Sequence, residues 1–258
     1  MPNRTALVTG ASAGLGAEFA RQLAARGCDL LLVARREDRL KALAGELARA
    51  HGRRVEVFAA DLSQPDAPER IHAFAAEQGL PVDWLVNNAG AAGPDLLEER
   101  DWSAQARFYE LMMTSVAHMC HLFLPAMRER RFGRVINVSS FAGRLSRAAG
   151  GNYGPSKAYL IALSEELALL MKGTGVNVCA LCPGFTHTEF HEVGGLMEMK
   201  RGLPGFLWYD ADVVVREGIE AVERGKPIWI SGRLYRWIDP FAQSVWLRPI
   251  IKALAPGR

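Results

Sequence analysis

Tyr153 and Lys157 stand four residues apart in the run Tyr153-Gly154-Pro155-Ser156-Lys157. On a helix that spacing puts both side chains on one face. A tyrosine ordinarily titrates near pH 10, too high for easy proton exchange at neutrality. A lysine ammonium close by favours the phenolate. At ~4 Å and an effective dielectric of ~20, the attraction is about 4 kcal/mol before desolvation is subtracted. Such a pair can give a proton to an oxygen and take one back. Tyr159 has no lysine four residues on and is the poorer candidate.

A second cluster lies near the start of the chain: Thr9-Gly10-Ala11-Ser12-Ala13-Gly14-Leu15-Gly16. An apolar run precedes it and a helical pattern follows, the context in which a glycine loop carries meaning. Gly10 permits a tight turn, and Gly14 and Gly16 let backbone approach a pyrophosphate. A helix start there offers unpaired N–H groups and a partial positive charge to phosphates.

These residues need a frame, and the hydrophobic pattern supplies one. Short apolar runs at 6–8, 29–33, 54–58, 84–86, 135–138, 176–181 and 228–230 read as strands. Helical patterns at 15–26, 37–50, 66–77, 101–130, 153–172 and 212–224 alternate with them, and Pro125 is expected to bend the longest. Alternation of this kind implies right-handed βαβ units. The expected fold is α/β: one Rossmann-type, doubly wound parallel sheet of about seven strands over residues 1–258, with helices on both faces. Ligands bind beyond the carboxyl ends of such strands.

Composition agrees. The 258 residues are 49% hydrophobic and 23% charged, which excludes a disordered, collagen-like or disulfide-stapled chain. Thirty-one basic against 28 acidic residues leave +3, too little to imply nucleic-acid binding. Cys28, Cys120, Cys179 and Cys182 lie in apolar surroundings and read as reduced core thiols. Cys179-x-x-Cys182 sits inside a strand-like run, and no second pair completes a zinc site. No apolar stretch reaches the roughly 18 residues of a membrane span, and residues 1–5 do not open a signal peptide. A cytoplasmic location is expected.

The spacing Thr-Gly-x-x-x-Gly-x-Gly resembles the short-chain dehydrogenase/reductase family. So do Asn87-Asn88-Ala89-Gly90 after the fourth strand, Tyr153-x-x-x-Lys157, and Pro183-Gly184 after the sixth strand. Ser140 stands thirteen residues before the tyrosine, as in that family. The resemblance spans roughly residues 4–232. It implies an oxidoreductase that moves a hydride between a nicotinamide cofactor and a carbonyl or alcohol. Tyr153 would transfer the proton. Ser140 would hold the substrate oxygen, with Ser139 on the other face of the strand end. Lys157 would tune Tyr153 and hold the nicotinamide ribose. Gly10, Ser12, Gly14, Leu15 and Gly16 would line the phosphates, and Asp61 and Leu62 the adenine. Asn87, Ala89 and Gly90 would floor the nicotinamide ribose, with Pro183, Gly184, Thr186 and Thr188 alongside.

An NAD enzyme places a carboxylate at the end of the second strand. Here stand Ala34, Arg35 and Arg36. Arginine attracts a 2′-phosphate and can bind it bidentately, so NADP(H) is expected over NAD(H). Arg35, straight off the strand, is the first candidate. One departure stands out. Where the family usually has a relay asparagine, this chain has Met112, whose thioether is only a weak acceptor. Ser115 three residues on, or backbone and solvent, could hold the relay water instead; otherwise the chain would turn over slowly and serve partly as a cofactor-dependent binder.

The stretch from about 185 to 210 is expected to cover a hydrophobic pocket, with Phe185, Phe190, Leu196, Met197, Met199, Leu203, Phe206, Leu207 and Trp208 among glycines. Phe141 and Leu145 would add apolar wall, so a bulky ketone or aldehyde fits best. His187 and His191 do not make a metal site, since no HExxH pattern accompanies them. The basic, aromatic tail, about 233–258, is expected to pack on the domain or a second subunit, with contact to a membrane surface as the other reading. Pro240 and Pro249 should limit it to short helices. By resemblance the chain forms a homodimer or homotetramer through the helices near 101–130 and 153–172. Two other functions stay open: a sensor that holds NADP(H) with little catalysis, and a membrane-peripheral, lipid-modifying reductase.

Overall fold

A computed structural model describes residues 4–145, 151–187 and 205–247. Seven strands form one parallel sheet in the order β3-β2-β1-β4-β5-β6-β9. They are β1 (Arg4–Thr9), β2 (Cys28–Ala34), β3 (Val55–Ala59), β4 (Val82–Asn87), β5 (Gly133–Val138), β6 (Val176–Cys182) and β9 (Ile228–Ile230). A separate pair, β7 (Phe185–Thr186) and β8 (Trp208–Tyr209), lies beyond β6. The helices are α1 (Gly14–Ala25), α2 (Glu37–His51), α3 (Ala67–Glu77), α4 (Trp102–Tyr109), α5 (Ser115–Glu129), α6 (Tyr153–Leu170), α7 (Ala211–Glu223) and α8 (Arg233–Gln243).

Both faces of the sheet are apolar because successive strand residues point opposite ways. Ala6, Val8, Leu30, Leu32, Val86, Ile136 and Leu181 join Phe19 and Leu23 of α1, Leu40 and Leu47 of α2, and Val215 and Ile219 of α7. Leu7, Leu31, Val33, Leu85, Val135 and Val178 meet Ile71 of α3 and Met119, Phe123 and Met127 of α5 on the other face. Burying a side chain of this size stabilises the fold by about 1.5–3 kcal/mol. The four cysteines are buried and free. Cys179 and Cys182 lie in different core clusters, as their odd spacing along one strand requires.

The long helix is divided, and not at the proline. A π-helical turn, Glu110–Thr114, separates α4 from α5, while Pro125 sits inside α5. Met112 lies within this extra-residue turn and is 1% exposed. The tail also differs from expectation. Residues 233–243 form one eleven-residue helix that contains Pro240.

Successive connections run outward from β1 in opposite directions, so the sheet opens a crevice beyond the carboxyl ends of β1 and β4. The glycine loop, Ala34 to Arg36, Asn88 to Gly90, Ser139 and Ser140, and Pro183 and Gly184 all follow strand ends on this rim.

Candidate active site

The phosphate loop is built by close backbone approach. Gly10 has φ +66° and Gly14 has φ +55°, conformations that glycine adopts without strain. A Cβ on Gly10 would stand 2.8 Å from Asn88 Nδ2 and 2.9 Å from Ala89 Cα. A Cβ on Gly16 would run into the Gly10 carbonyl oxygen. Asn88 fixes this loop: its Nδ2 donates to the carbonyls of Thr9 at 2.9 Å and Gly10 at 3.4 Å. Thr9 Oγ1 accepts the N–H groups of Asn88 and Ala89, at 2.9 and 3.1 Å. Thus β1 and β4 are tied at the crevice. Neither Thr9 nor Asn88 was among the expected site residues. The signal was the Asn87-Asn88 doublet at the end of an apolar strand, whose two side chains must face opposite ways.

Asn87 takes the inward direction. It is buried, and its Nδ2 donates to Asn137 Oδ1 at 2.8 Å. Asn137 in turn donates to Ser164 Oγ at 3.0 Å. The Asn87 side chain therefore braces the sheet, while its backbone ends β4 at the rim just before Ala89 and Gly90.

α1 begins without a capping side chain and without an acidic residue in its first turn. Its leading N–H groups therefore fit an anion, and phosphate in particular. Arg36, rather than the first candidate Arg35, reaches the loop. Its Nε and Nη2 donate to Ser12 Oγ at 3.2 and 3.0 Å. The backbone at Arg36 is still extended, at φ −89° and ψ 91°, and α2 starts one residue later. Asp61 accepts the Ser63 N–H at 3.0 Å, and Leu62 is buried beside it. The residues present fit a dinucleotide with phosphate at the end of β2.

On the other side of the crevice, β5 delivers two serines with separate roles. Ser139 is buried and donates from Oγ to the carbonyl of Lys157 at 2.7 Å, pinning α6 against the strand end. Ser140 Oγ accepts the Ala142 N–H at 3.1 Å, which orients the hydroxyl and leaves its proton for another acceptor. Gly143 allows the short 3₁₀ turn that follows to touch α6: a Cβ there would sit 2.7 Å from the Lys157 carbonyl carbon.

Tyr153 opens α6, and Lys157 follows one turn later on the same face. Lys157 Nζ lies 5.6 Å from the Tyr153 ring centroid and donates to the Val138 carbonyl at 2.7 Å. Lys157 is 4% exposed, and burial pushes its ammonium down from 10.5 to about 8. The carbonyl bond holds Nζ in place, and among the described residues no carboxylate pairs with it. Tyr159 points outward, 38% exposed.

Met112 arrives at this point too. A Cβ on Gly90 would lie 3.3 Å from Met112 Sδ and 3.7 Å from Lys157 Nζ, so methionine and lysine flank the same glycine. Met112 Sδ accepts the Ala91 N–H at 3.4 Å. Ser115, the expected substitute, is buried and donates to the Leu111 carbonyl one turn back, at 2.9 Å.

Thr186 is buried and donates to the Gly184 carbonyl at 3.1 Å. Thr188, His191 and the apolar residues Phe190, Leu196, Met197, Met199 and Leu203 lie outside the described residues. His187 stacks on Trp208, with ring centroids 5.2 Å apart. Among the described residues, no group of three or more His, Cys, Asp or Glu could hold a metal. Among them, too, no helix is long and apolar enough to cross a membrane.

With this geometry, the comparisons with known proteins agree. A family model described as short chain dehydrogenase matches residues 4–195. An uncharacterized oxidoreductase of Myxococcus xanthus is 40% identical over 190 residues, covering 73% of this chain and 74% of its own. The 7beta-hydroxysteroid dehydrogenase of Collinsella aerofaciens is 32% identical over 182 residues, covering 70% of this chain and 68% of its own. The solved structure of a short-chain dehydrogenase from Sphingobium yanoikuyae in complex with NADPH superposes with a TM-score of 0.81. It is 28% identical, with 98% of this chain and 96% of that one covered.

Proposed function

Because this chain belongs to the short-chain dehydrogenase family, we propose that it is an NADP(H)-dependent reductase of bulky, hydrophobic ketones or aldehydes, interconverting them with their alcohols. The observation that carries the chemistry is Lys157, buried on one helix face with Tyr153, its Nζ held by the Val138 carbonyl and its own carbonyl by the Ser139 hydroxyl.

The bound nicotinamide would supply or accept the hydride at the substrate carbon. Ser140 donates its free proton to the substrate oxygen and steadies charge as it develops there. Tyr153 gives that oxygen a proton in reduction and takes one in oxidation. The Lys157 ammonium favours the Tyr153 phenolate and holds the nicotinamide ribose. The N–H groups at the start of α1 receive the pyrophosphate, and Arg36 the 2′-phosphate.

Arg36 over Ser12 supports NADP(H), as does the NADPH complex of the Sphingobium relative. Phe141 and Trp208, both buried near the site, support an apolar substrate, in keeping with a relative named for a hydroxysteroid. The apolar groove between α5 and α6, lined by Leu124, Pro125, Leu163 and Leu167, supports a homodimer or homotetramer joined there. Trp237, Phe241 and Trp246 of the tail point outward and support a further contact with a second subunit. The modest net charge fits a small-molecule enzyme rather than a nucleic-acid binder.

The test is consumption of NADPH and NADH in parallel against a panel of bulky ketones and aldehydes. NADPH is expected to be the better cofactor. Arg36→Ala should raise the NADPH KM about tenfold, the scale of a charge-assisted contact, and leave NADH unchanged. An unaltered NADPH/NADH ratio removes Arg36 from the phosphate. Tight NADPH binding without turnover on any carbonyl would favour a cofactor-dependent binder.

Met112 makes a further expectation. A thioether accepts weakly and donates nothing, so proton supply to Lys157 should be slow. Met112→Asn is expected to raise kcat roughly three- to tenfold and to shrink the solvent deuterium isotope effect. Unchanged values for both would show that proton supply does not limit turnover.

A further inference from the structure

Two segments border the crevice near Tyr153: residues 139–145, which hold Ser140, and residues 183–187, which hold Gly184 and Thr186. One distant helix, α8, grips both. Tyr235, 5% exposed, lays its ring directly against Gly184. The same ring meets Phe141 edge-on, with centroids 5.0 Å apart and planes at 61°. Its hydroxyl accepts the Phe185 N–H at 3.2 Å and donates to the Leu207 carbonyl at 2.9 Å. One phenol therefore ties β7 to the turn before β8 and leans on the residue after Ser140.

One turn further along α8, Asp239 grips the same serine segment. Its carboxylate takes Arg144 Nε at 2.8 Å and Nη2 at 2.6 Å, a bidentate and mostly buried pair. Gln243 Nε2 donates to the Arg144 carbonyl. The helix has its own footing, since Arg236 pairs with Glu217 of α7 at 2.7 Å. Glu217 also accepts Trp229 Nε1 and the Gly232 N–H. All of α8 lies past residue 195, where the family match ends.

We propose that Tyr235 is a positioning residue. It fixes the spacing between the Ser140 segment and the Gly184–Thr186 segment, so that the wall that seats cofactor and substrate keeps its shape. Arg144–Asp239 does the same work at the far end of the helix. Precise placement of a binding wall depends on locked groups behind it, and a loosened wall weakens binding of what it seats. The kinetic part of this proposal rests on the reductase reading; the structural part does not.

Tyr235→Phe isolates the hydroxyl, because the ring contacts with Gly184 and Phe141 remain. Amide hydrogen exchange in the folded variant should quicken at Phe185 by about tenfold or more, since its acceptor is gone. The NADPH Kd, from fluorescence titration, should rise about fivefold, with the melting temperature within a few degrees of the parent. For a turned-over ketone, KM should rise about fivefold while kcat stays within twofold. At the other end, Asp239→Ala should raise KM similarly and Asp239→Glu should restore most of it. That second series decides the matter should Tyr235→Phe fail to fold. Unchanged exchange at Phe185 with unchanged NADPH affinity overturns the proposal, and so does a fall in kcat with KM unmoved. Neither exchange nor NADPH binding requires turnover. Absence of carbonyl reduction therefore defeats the functional reading while leaving those two measurements to judge Tyr235.

Discussion

Tyr153→Phe is expected to lower turnover with NADPH and a hydrophobic ketone by a factor of roughly 10³, while NADPH binds within about threefold of the parent. The range follows from the usual contribution of a positioned proton donor, about 10²–10⁴-fold. The asymmetry follows from the site. Phenylalanine keeps the ring at the start of α6 near Lys157 Nζ, so the packing survives. The glycine loop, Asn88 and Arg36 belong to other strand ends and are untouched. A variant retaining a tenth of its activity would show that another group supplies the proton.

Lys157→Met should fall further, by roughly 10³ or more, because it removes a charge that serves both Tyr153 and the ribose. It carries a second, pH-dependent signature. Burial lowers the Lys157 ammonium from 10.5 to about 8. Between those values the unfolded chain binds more protons than the folded one, so parent stability rises with pH across that window. Below about pH 8 both states are protonated, and the native state carries the whole penalty of a buried charge. The gap corresponds to about 3 kcal/mol at most. Methionine has no such penalty. Relative to the parent, the variant should therefore be most favoured at pH 7 and lose that advantage as pH rises from 8 to about 10.5. Denaturant melts at pH 7, 8.5 and 10 read this directly. A stability difference independent of pH would mean that Lys157 titrates near its ordinary value.

The sheet and the reacting pair were readable from the chain because each depends on local periodicity. Apolar runs at alternating intervals gave strands buried on both faces, and Tyr153 with Lys157 needed only the helical repeat. The glycine loop was legible for a related reason: close backbone approach excludes every side chain, and glycine marks the place. That Arg36, and not Arg35, bonds Ser12 was not legible. It turns on whether the backbone at residue 36 is still extended or already helical, a matter of one residue at an element boundary. The π-helical turn at Glu110–Thr114 was hidden because one additional residue in a long apolar pattern leaves the average period unchanged. The direction of the Asn87 side chain was not legible either, because it depends on the buried partner Asn137, fifty residues away. Tyr235 carried no local mark at all. Its partners Gly184, Phe185, Leu207 and Phe141 meet it only through the tertiary fold.

The strand order has a consequence for how the molecule comes into being. β3, β2, β1 and β4 are neighbours in the sheet and also the first four strands of the chain. A growing polypeptide can therefore assemble the phosphate cradle from residues already synthesised, before β5 and α6 have appeared. Under the proposed function, any dinucleotide bound by that early half would stabilise it by mass action. Among the described elements, β9 and α8 come last, so the contacts of Tyr235 and Asp239 with the Ser140 and Gly184 segments close onto a body whose glycine loop is already in place.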